Sequence, residues 1–231
     1  MIVGESMKIL IIGGSTDVGM SLAKYLNILD NDVTITYHNH KCMIDGIKCL
    51  PLDITNEDEL LELFHNNHYD MLINMAAISH DNLFLDNTKE DFIDILKVNL
   101  VGTFSASKIF SKYNPNGIII NIASTDGIDT YSEYSMLYSA SKAGVINLSR
   151  SMALSTKNKV LCICPNWLDA NSTINMDQNY LTKELKRIGQ SRLISLDEFN
   201  QSVVKIIDEY NSGDIIRIDI RDDKLWIEKI S

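Results

Sequence analysis

Cationic side chains are in short supply in this chain of 231 residues: Lys plus Arg number 21 against 31 Asp plus Glu, a net charge of −10. Such a surface repels phosphate backbones and anionic lipid, so nucleic acid and membrane surfaces are set aside as partners. Long apolar runs are missing as well. None approaches the length of a membrane span, and Glu5 falls where a secretory leader needs a basic start and an apolar stretch. A cytoplasmic protein is expected, with Met7 as an alternative start. Cysteine is sparse: Cys42, Cys49, Cys162 and Cys164 form no C-x-x-C pair, and the five histidines fit no Cys/His zinc spacing. Free thiols and no metal site are expected. Internal repeats, low-complexity tracts and interdomain linkers are also absent, so residues 1–231 read as one domain.

What is present is alternation. Short β-branched runs exchange with longer segments of helical period, the pattern of a parallel sheet covered on both faces. Strands are expected at 8–12, 33–37, 47–50, 71–74, 118–121, 160–164 and, finally, 214–220. Helices are expected at 18–29, 57–64, from a Thr88 cap to Tyr113, and at 137–155, 180–188 and 196–210. The polar stretch 166–178 breaks the pattern, which makes about 166–195 the candidate lid. The fold class is α/β, a doubly wound parallel sheet in a single domain.

Between the first strand and first helix runs Gly13-Gly14-Ser15-Thr16-Asp17-Val18-Gly19. In a doubly wound sheet this turn lies at the carboxyl edge, where glycines let backbone N–H groups approach a pyrophosphate at the positive end of a helix. A nucleotide is the physical expectation. Gly14 and Gly19 have P-loop spacing, but Met20 stands where that loop needs lysine, which disfavours ATP or GTP hydrolysis.

Tyr138 and Lys142 stand one helical turn apart on one face. A free tyrosine titrates near pH ~10, and acid or base work near neutrality asks for a drop of roughly 3 units, about 4 kcal/mol. A neighbouring ammonium supplies that sign of shift. Neither Tyr131 nor Tyr134 has a lysine four residues on. Ser124 follows the strand at 118–121 almost directly, at the edge where ligands bind, and its hydroxyl is placed to meet a substrate oxygen.

Taken in order, these residues resemble the short-chain dehydrogenase/reductase family over nearly the whole chain. Ile12 to Gly19 is similar to that family's T-G-x-x-x-G-I-G turn, and Asp53-Ile54 resembles its adenine-contacting aspartate element. Asn74-Met75-Ala76-Ala77 matches the N-x-A-G type element, Val98-Asn99 the catalytic asparagine, Ile120 to Ser124 the serine strand, and Tyr138 to Lys142 the catalytic pair. The resemblance implies a Rossmann-like fold and hydride transfer between a nicotinamide cofactor and a carbonyl or alcohol. Tyr138 would pass the proton and Ser124 would orient the carbonyl. Lys142 would lower the tyrosine's pKa and hold the ribose, and Asn99 would hold a water linking the lysine to solvent. The implied cofactor contacts are Gly13, Ser15, Thr16, Asp17, Val18, Gly19, Tyr37, His38, Asp53, Ile54, Asn74, Ala76, Tyr138, Lys142 and Pro165. Helix faces within 88–113 and on the Tyr138 helix imply a homodimer or homotetramer.

The match has departures. Asp17 takes the place of the middle glycine and is expected to turn away from the pyrophosphate and cap the helix. Ile12 replaces a threonine, Pro165-Asn166-Trp167 stands for Pro-Gly, Asp169-Ala170 replaces a threonine contacting the nicotinamide amide, and the usual Asp-Gly-Gly near the end is lacking. The second strand ends in Tyr37-His38-Asn39-His40-Lys41, with no carboxylate to accept the ribose hydroxyls of NAD. NADP(H) is therefore the expected cofactor, with NAD(H) second. The leading expectation is a carbonyl reductase resembling the 3-oxoacyl carrier-protein reductase branch, its substrate a ketone that includes carrier-protein-linked thioesters. The alternatives are a reductase of another small carbonyl, with Trp167, Met176 and Tyr180 deciding the substrate, and a non-catalytic dinucleotide-binding sensor.

Overall fold

The computed structural model describes residues 6–230; Glu5 and the rest of 1–5, together with Ser231, lie outside the described residues. One eight-stranded sheet organises the chain, in the order β3-β2-β1-β4-β5-β6-β7-β8. In chain order the elements are β1 (Lys8–Ile12), α1 (Asp17–Ile28), β2 (Asp32–Tyr37), β3 (Lys48–Pro51), α2 (Glu57–Asn66) and β4 (Met71–Asn74). Then come α3 (Lys89–Leu96), a π-turn (Lys97–Gly102), α4 (Thr103–Tyr113), β5 (Ile118–Ile122), α5 (Met136–Ser155) and β6 (Lys159–Pro165). The chain finishes with α6 (Asn171–Ile174), α7 (Gln178–Ile188), α8 (Leu196–Glu209), β7 (Ile215–Arg221) and β8 (Lys224–Lys229).

β1 to β7 run parallel, and the strand order reverses between β1 and β4, so the crevice at their carboxyl ends is where a doubly wound sheet binds ligands. The continuous apolar strands explain this: KILII, MLIN and IIINI are buried on both faces, as strands between two helical layers must be. One core lies between the sheet and α1 and α8, around Ile11, Leu22, Leu26, Phe199 and Ile206. A second lies on the opposite face, around Leu60, Phe64, Leu72 and Phe110. All four cysteines are free thiols.

Two features depart from the sequence reading. The helix expected to run unbroken to Tyr113 widens into the π-turn at its centre, where Asn99 sits. An eighth strand, β8, follows the expected last one and pairs antiparallel with β7, so the free edge of β7 is covered. Asp222 and Asp223, at φ 49° and 59°, form the two-residue turn between them.

Candidate active site

The glycine turn is fixed by close approach. Gly13 has φ +79°, and a Cβ there would meet the Ala76 Cα at 2.4 Å; one on Gly19 would meet the Gly14 Cα at 2.6 Å. Such a cradle admits no side chain and leaves backbone facing outward. Thr16, not Asp17, caps α1: its hydroxyl accepts the Gly19 N–H at 3.1 Å. The N–H groups of Asp17 and Val18 precede any carbonyl four residues back in the helix and point from its positive end. The turn therefore fits a dinucleotide's diphosphate. Asp17 lines the cleft, and its carboxylate accepts the N–H of Asn171 at the front of the lid.

A cleft of ≈ 800 Å³ runs from Thr16, Asp17 and Val18 past the ends of β4, β5 and β6 to the lid. Ser124, Tyr138, Lys142 and Pro165 all line it, so the hydroxyl, phenol and amine foreseen from the sequence do converge. Ser124 is placed by the end of β5; its hydroxyl accepts the Asp126 N–H at 3.1 Å, and it lines the same cleft wall as Tyr138. Lys142, only 3 % exposed, donates from Nζ to the Ile122 carbonyl at 2.8 Å. Burial pushes its pKa down to about 8, while the nearby Cys162 and Cys164 pull it back upward.

Tyr138 behaves differently from expectation. Its pKa is raised, first by burial and then by the Asp126 carboxylate, with Ser124 opposing. Desolvation disfavours the phenolate, and the expected lowering by Lys142 does not overcome it.

The remaining expected residues are spread more widely. Asn99, in the π-turn, uses its side chain on the loop after β4: Oδ1 accepts the Ile78 N–H at 2.8 Å, and Nδ2 donates to the Ile78 carbonyl at 2.9 Å and Ser141 Oγ at 3.0 Å. That fixes Ile78, a wall of the cleft, and leaves the side-chain amide occupied by protein. Asn74 is buried below the cleft, donating to Ser107 Oγ and Asn121 Oδ1, both at 2.9 Å. Ile54 lies in the core against Gly102, and Ala76 packs under Gly13. Ser15 stays within the turn, beside the cap. Tyr37 ends β2 and pairs with Pro51; His38 follows, exposed, 3.8 Å from Asp53. Asp53 in turn accepts the Thr55 N–H and hydroxyl at 2.9 and 2.8 Å.

Sequence reading missed the polar substrate end. Asp126 is 9 % exposed, accepts hydroxyls from Thr130 at 3.0 Å and Ser135 at 3.2 Å, and has its pKa raised by burial against those bonds. The available signal was a carboxylate two residues after Ser124. Asp81 and Asp177 line the same end. The lid closes it: Trp167, Met176 and Tyr180 face the cleft, Tyr180 bonds Ser132 at 3.3 Å, and Arg187 pairs with Glu184 while reaching the Thr130 carbonyl at 3.3 Å. Among the described residues no cluster of three or more His, Cys, Asp or Glu could hold a metal, and no helix is long and apolar enough to cross a membrane.

Comparison with known proteins agrees with this geometry. A family model described as short chain dehydrogenase matches residues 7–181. The chain is 30% identical over 229 residues to carbonyl reductase family member 4 of Xenopus laevis, covering 90% of this chain and 94% of that protein. It is likewise 30% identical over 232 residues to the 3-oxoacyl-[acyl-carrier-protein] reductase FabG of Buchnera aphidicola, covering 90% and 94%. Among solved structures, a short chain dehydrogenase from Leptospira borgpetersenii with bound NAD+ superimposes with a TM-score of 0.84 at 25% identity, covering 93% of this chain and 92% of that one. The chain belongs to the short chain dehydrogenase family and is an NAD(P)H-dependent oxidoreductase.

Proposed function

We infer that this enzyme reduces a small polar ketone to a secondary alcohol, with NADPH as its preferred cofactor. One observation carries the reading: Ser124, Tyr138 and buried Lys142 line one cleft that begins at the glycine turn. A nicotinamide dinucleotide held at the glycine turn and beside Lys142 would supply the hydride. The chain's own residues do the rest. Ser124 and Tyr138 direct two hydroxyls at one carbonyl oxygen, where negative charge develops, and Tyr138 delivers the proton. The raised pKa of Tyr138 keeps it protonated at neutral pH, the form reduction requires. Lys142 places a charge behind the phenol, and Asn99 holds the Ile78 wall in place.

The preference for NADPH is supported by the end of β2, where His38 and Lys41 are exposed and no carboxylate follows Tyr37. Asp81 and Asp177 give the cleft wall polar groups for a polar ketone, beside the apolar Met75, Ile78, Trp167 and Met176. A 3-oxoacyl thioester on a carrier protein is the second reading, favoured by the name of the Buchnera relative. The exposed apolar residues Val101 and Phe104, over a groove shared with Gly144 and Leu148, support self-association through the π-turn, α4 and α5. NADPH oxidation screened in parallel against acyl thioesters, quinones, sugars and small diketones tests the activity. Turnover of the polar carbonyls is expected. Tight NADPH binding without oxidation across the panel would replace catalysis with a sensing role.

A further inference from the structure

Asp17 is not needed where it stands as a helix cap, since Thr16 performs that function. Its carboxylate crosses the cleft to accept the N–H of Asn171, a residue 154 positions away and the first of α6. The hydrogen bond joins the glycine turn to the front of the lid. The rest of the lid is held from behind. At its base Asp169 donates its N–H to the Ile194 carbonyl and Ile194 donates its own to the Trp167 carbonyl, Gln190 takes the Trp167 N–H, and Arg187 reaches the Thr130 carbonyl. The lid's front is thus tied to the same short turn that must accept a diphosphate, and the tie is made by a negative charge.

We propose that Asp17 is a latch between cofactor and lid: it holds Asn171 while the cleft lacks a dinucleotide, and an arriving diphosphate expels it. This inference rests on the turn being the diphosphate site. Two like charges cannot share the mouth of one helix without cost, and the carboxylate is the mobile partner. Releasing Asp17 frees the front of the lid at the moment the cofactor seats. Dinucleotide binding and lid closure through Asp17 are therefore opposed, and the lid remains anchored through Arg187 and Gln190.

Two variants separate the charge from the tether. Asp17→Asn keeps an acceptor for the Asn171 N–H but removes the repulsion, whereas Asp17→Ala removes both. By fluorescence titration, D17N binds NADPH roughly tenfold more tightly than the parent at low salt, with the gap narrowing as salt screens the parent's repulsion. In the cofactor-free chain, D17A exchanges the amide hydrogens of 170–174 roughly tenfold faster than the parent, whereas D17N does not. Equal or weaker NADPH binding by D17N, or unchanged exchange in D17A, overturns the latch. If the parent binds no dinucleotide at all, the proposed function fails, while exchange in cofactor-free D17A still decides whether the tether exists.

Discussion

The ammonium of Lys142 lies 5.4 Å from the centre of the Tyr138 ring, one helical turn along α5. It is over the ring, and its nearest acceptor is the Ile122 carbonyl. Burial therefore acts on the two groups with opposite signs: it holds a proton on the phenol and loosens one on the amine. A protonated phenol suits the proton donation that the proposed carbonyl reduction asks of Tyr138.

Tyr138→Phe removes the proton donor while keeping the ring that packs beneath Lys142. Turnover should fall by ~10²- to 10⁴-fold, the usual worth of a positioned acid. NADPH affinity should stay within about twofold, because the substitution keeps the ring and removes one hydroxyl. Steady-state rates and a fluorescence titration measure the two quantities separately, and undiminished turnover would remove Tyr138 from the proton path.

Lys142 moves from 10.5 to about 8 on folding because it is buried. Between those values the unfolded chain carries a proton that the folded chain has released, so stability rises with pH across that window and the cost of burial is full below it. Lys142→Met abolishes this slope. The stability of the parent relative to K142M should climb by roughly 3 kcal/mol from pH 8 to pH 10.5, with urea unfolding at each pH as the measurement. Carbonyl reduction should run the other way, kcat/KM declining above about pH 8 as the ammonium is lost. A flat difference in stability would mean that the ammonium is better solvated than its surroundings allow.

Local spacing made much of this legible in advance. Gly13 to Gly19, Ser124 and the Tyr138–Lys142 pair are short-range patterns, and the strands that carry them are long apolar runs with little alternative. What stayed hidden depends on distant partners. Thr16 and Asp17 are both good caps, and only a lid contact 154 residues away decides between them. Asp126 reads as a loop residue until Thr130 and Ser135 fold over it and Arg187 arrives from the lid. The π-turn at Asn99 leaves no mark in the hydrophobic period, since a single widened turn shifts the register only slightly. β8 is an edge strand with only Leu225-Trp226-Ile227 apolar between charged residues, and its turn lacks the glycine that usually announces a hairpin.

Cofactor choice follows from charge at the end of β2. Initial rates with NADPH and NADH at equal low concentration should favour NADPH, and Lys41→Glu should erode that advantage by roughly fivefold, as expected for one exposed charge. His38 is the second basic side chain there, although its 3.8 Å approach to Asp53 directs it partly toward the chain itself. Faster turnover with NADH in the parent would shift the recognition of the ribose to Asp53.

The β7–β8 turn holds the chain's clearest strain. Asp222 and Asp223 both occupy left-handed backbone, at φ 49° and 59°, a conformation that suits Asn and Gly better. The hydrogen bonds that Asp223 makes to Ser191 and Arg192 use its backbone and survive a change of side chain, while its charge beside Arg192 is lost. Replacing the pair by Asn-Gly should stabilise the fold by about 0.5–1 kcal/mol, raising Tm by roughly 1–4 °C. Activity should not change, because the backbone bonds that join the turn to Ser191 and Arg192 of the lid are kept. A lower Tm in a calorimetric scan would show that the two carboxylates, despite their backbone, contribute more than the turn geometry costs.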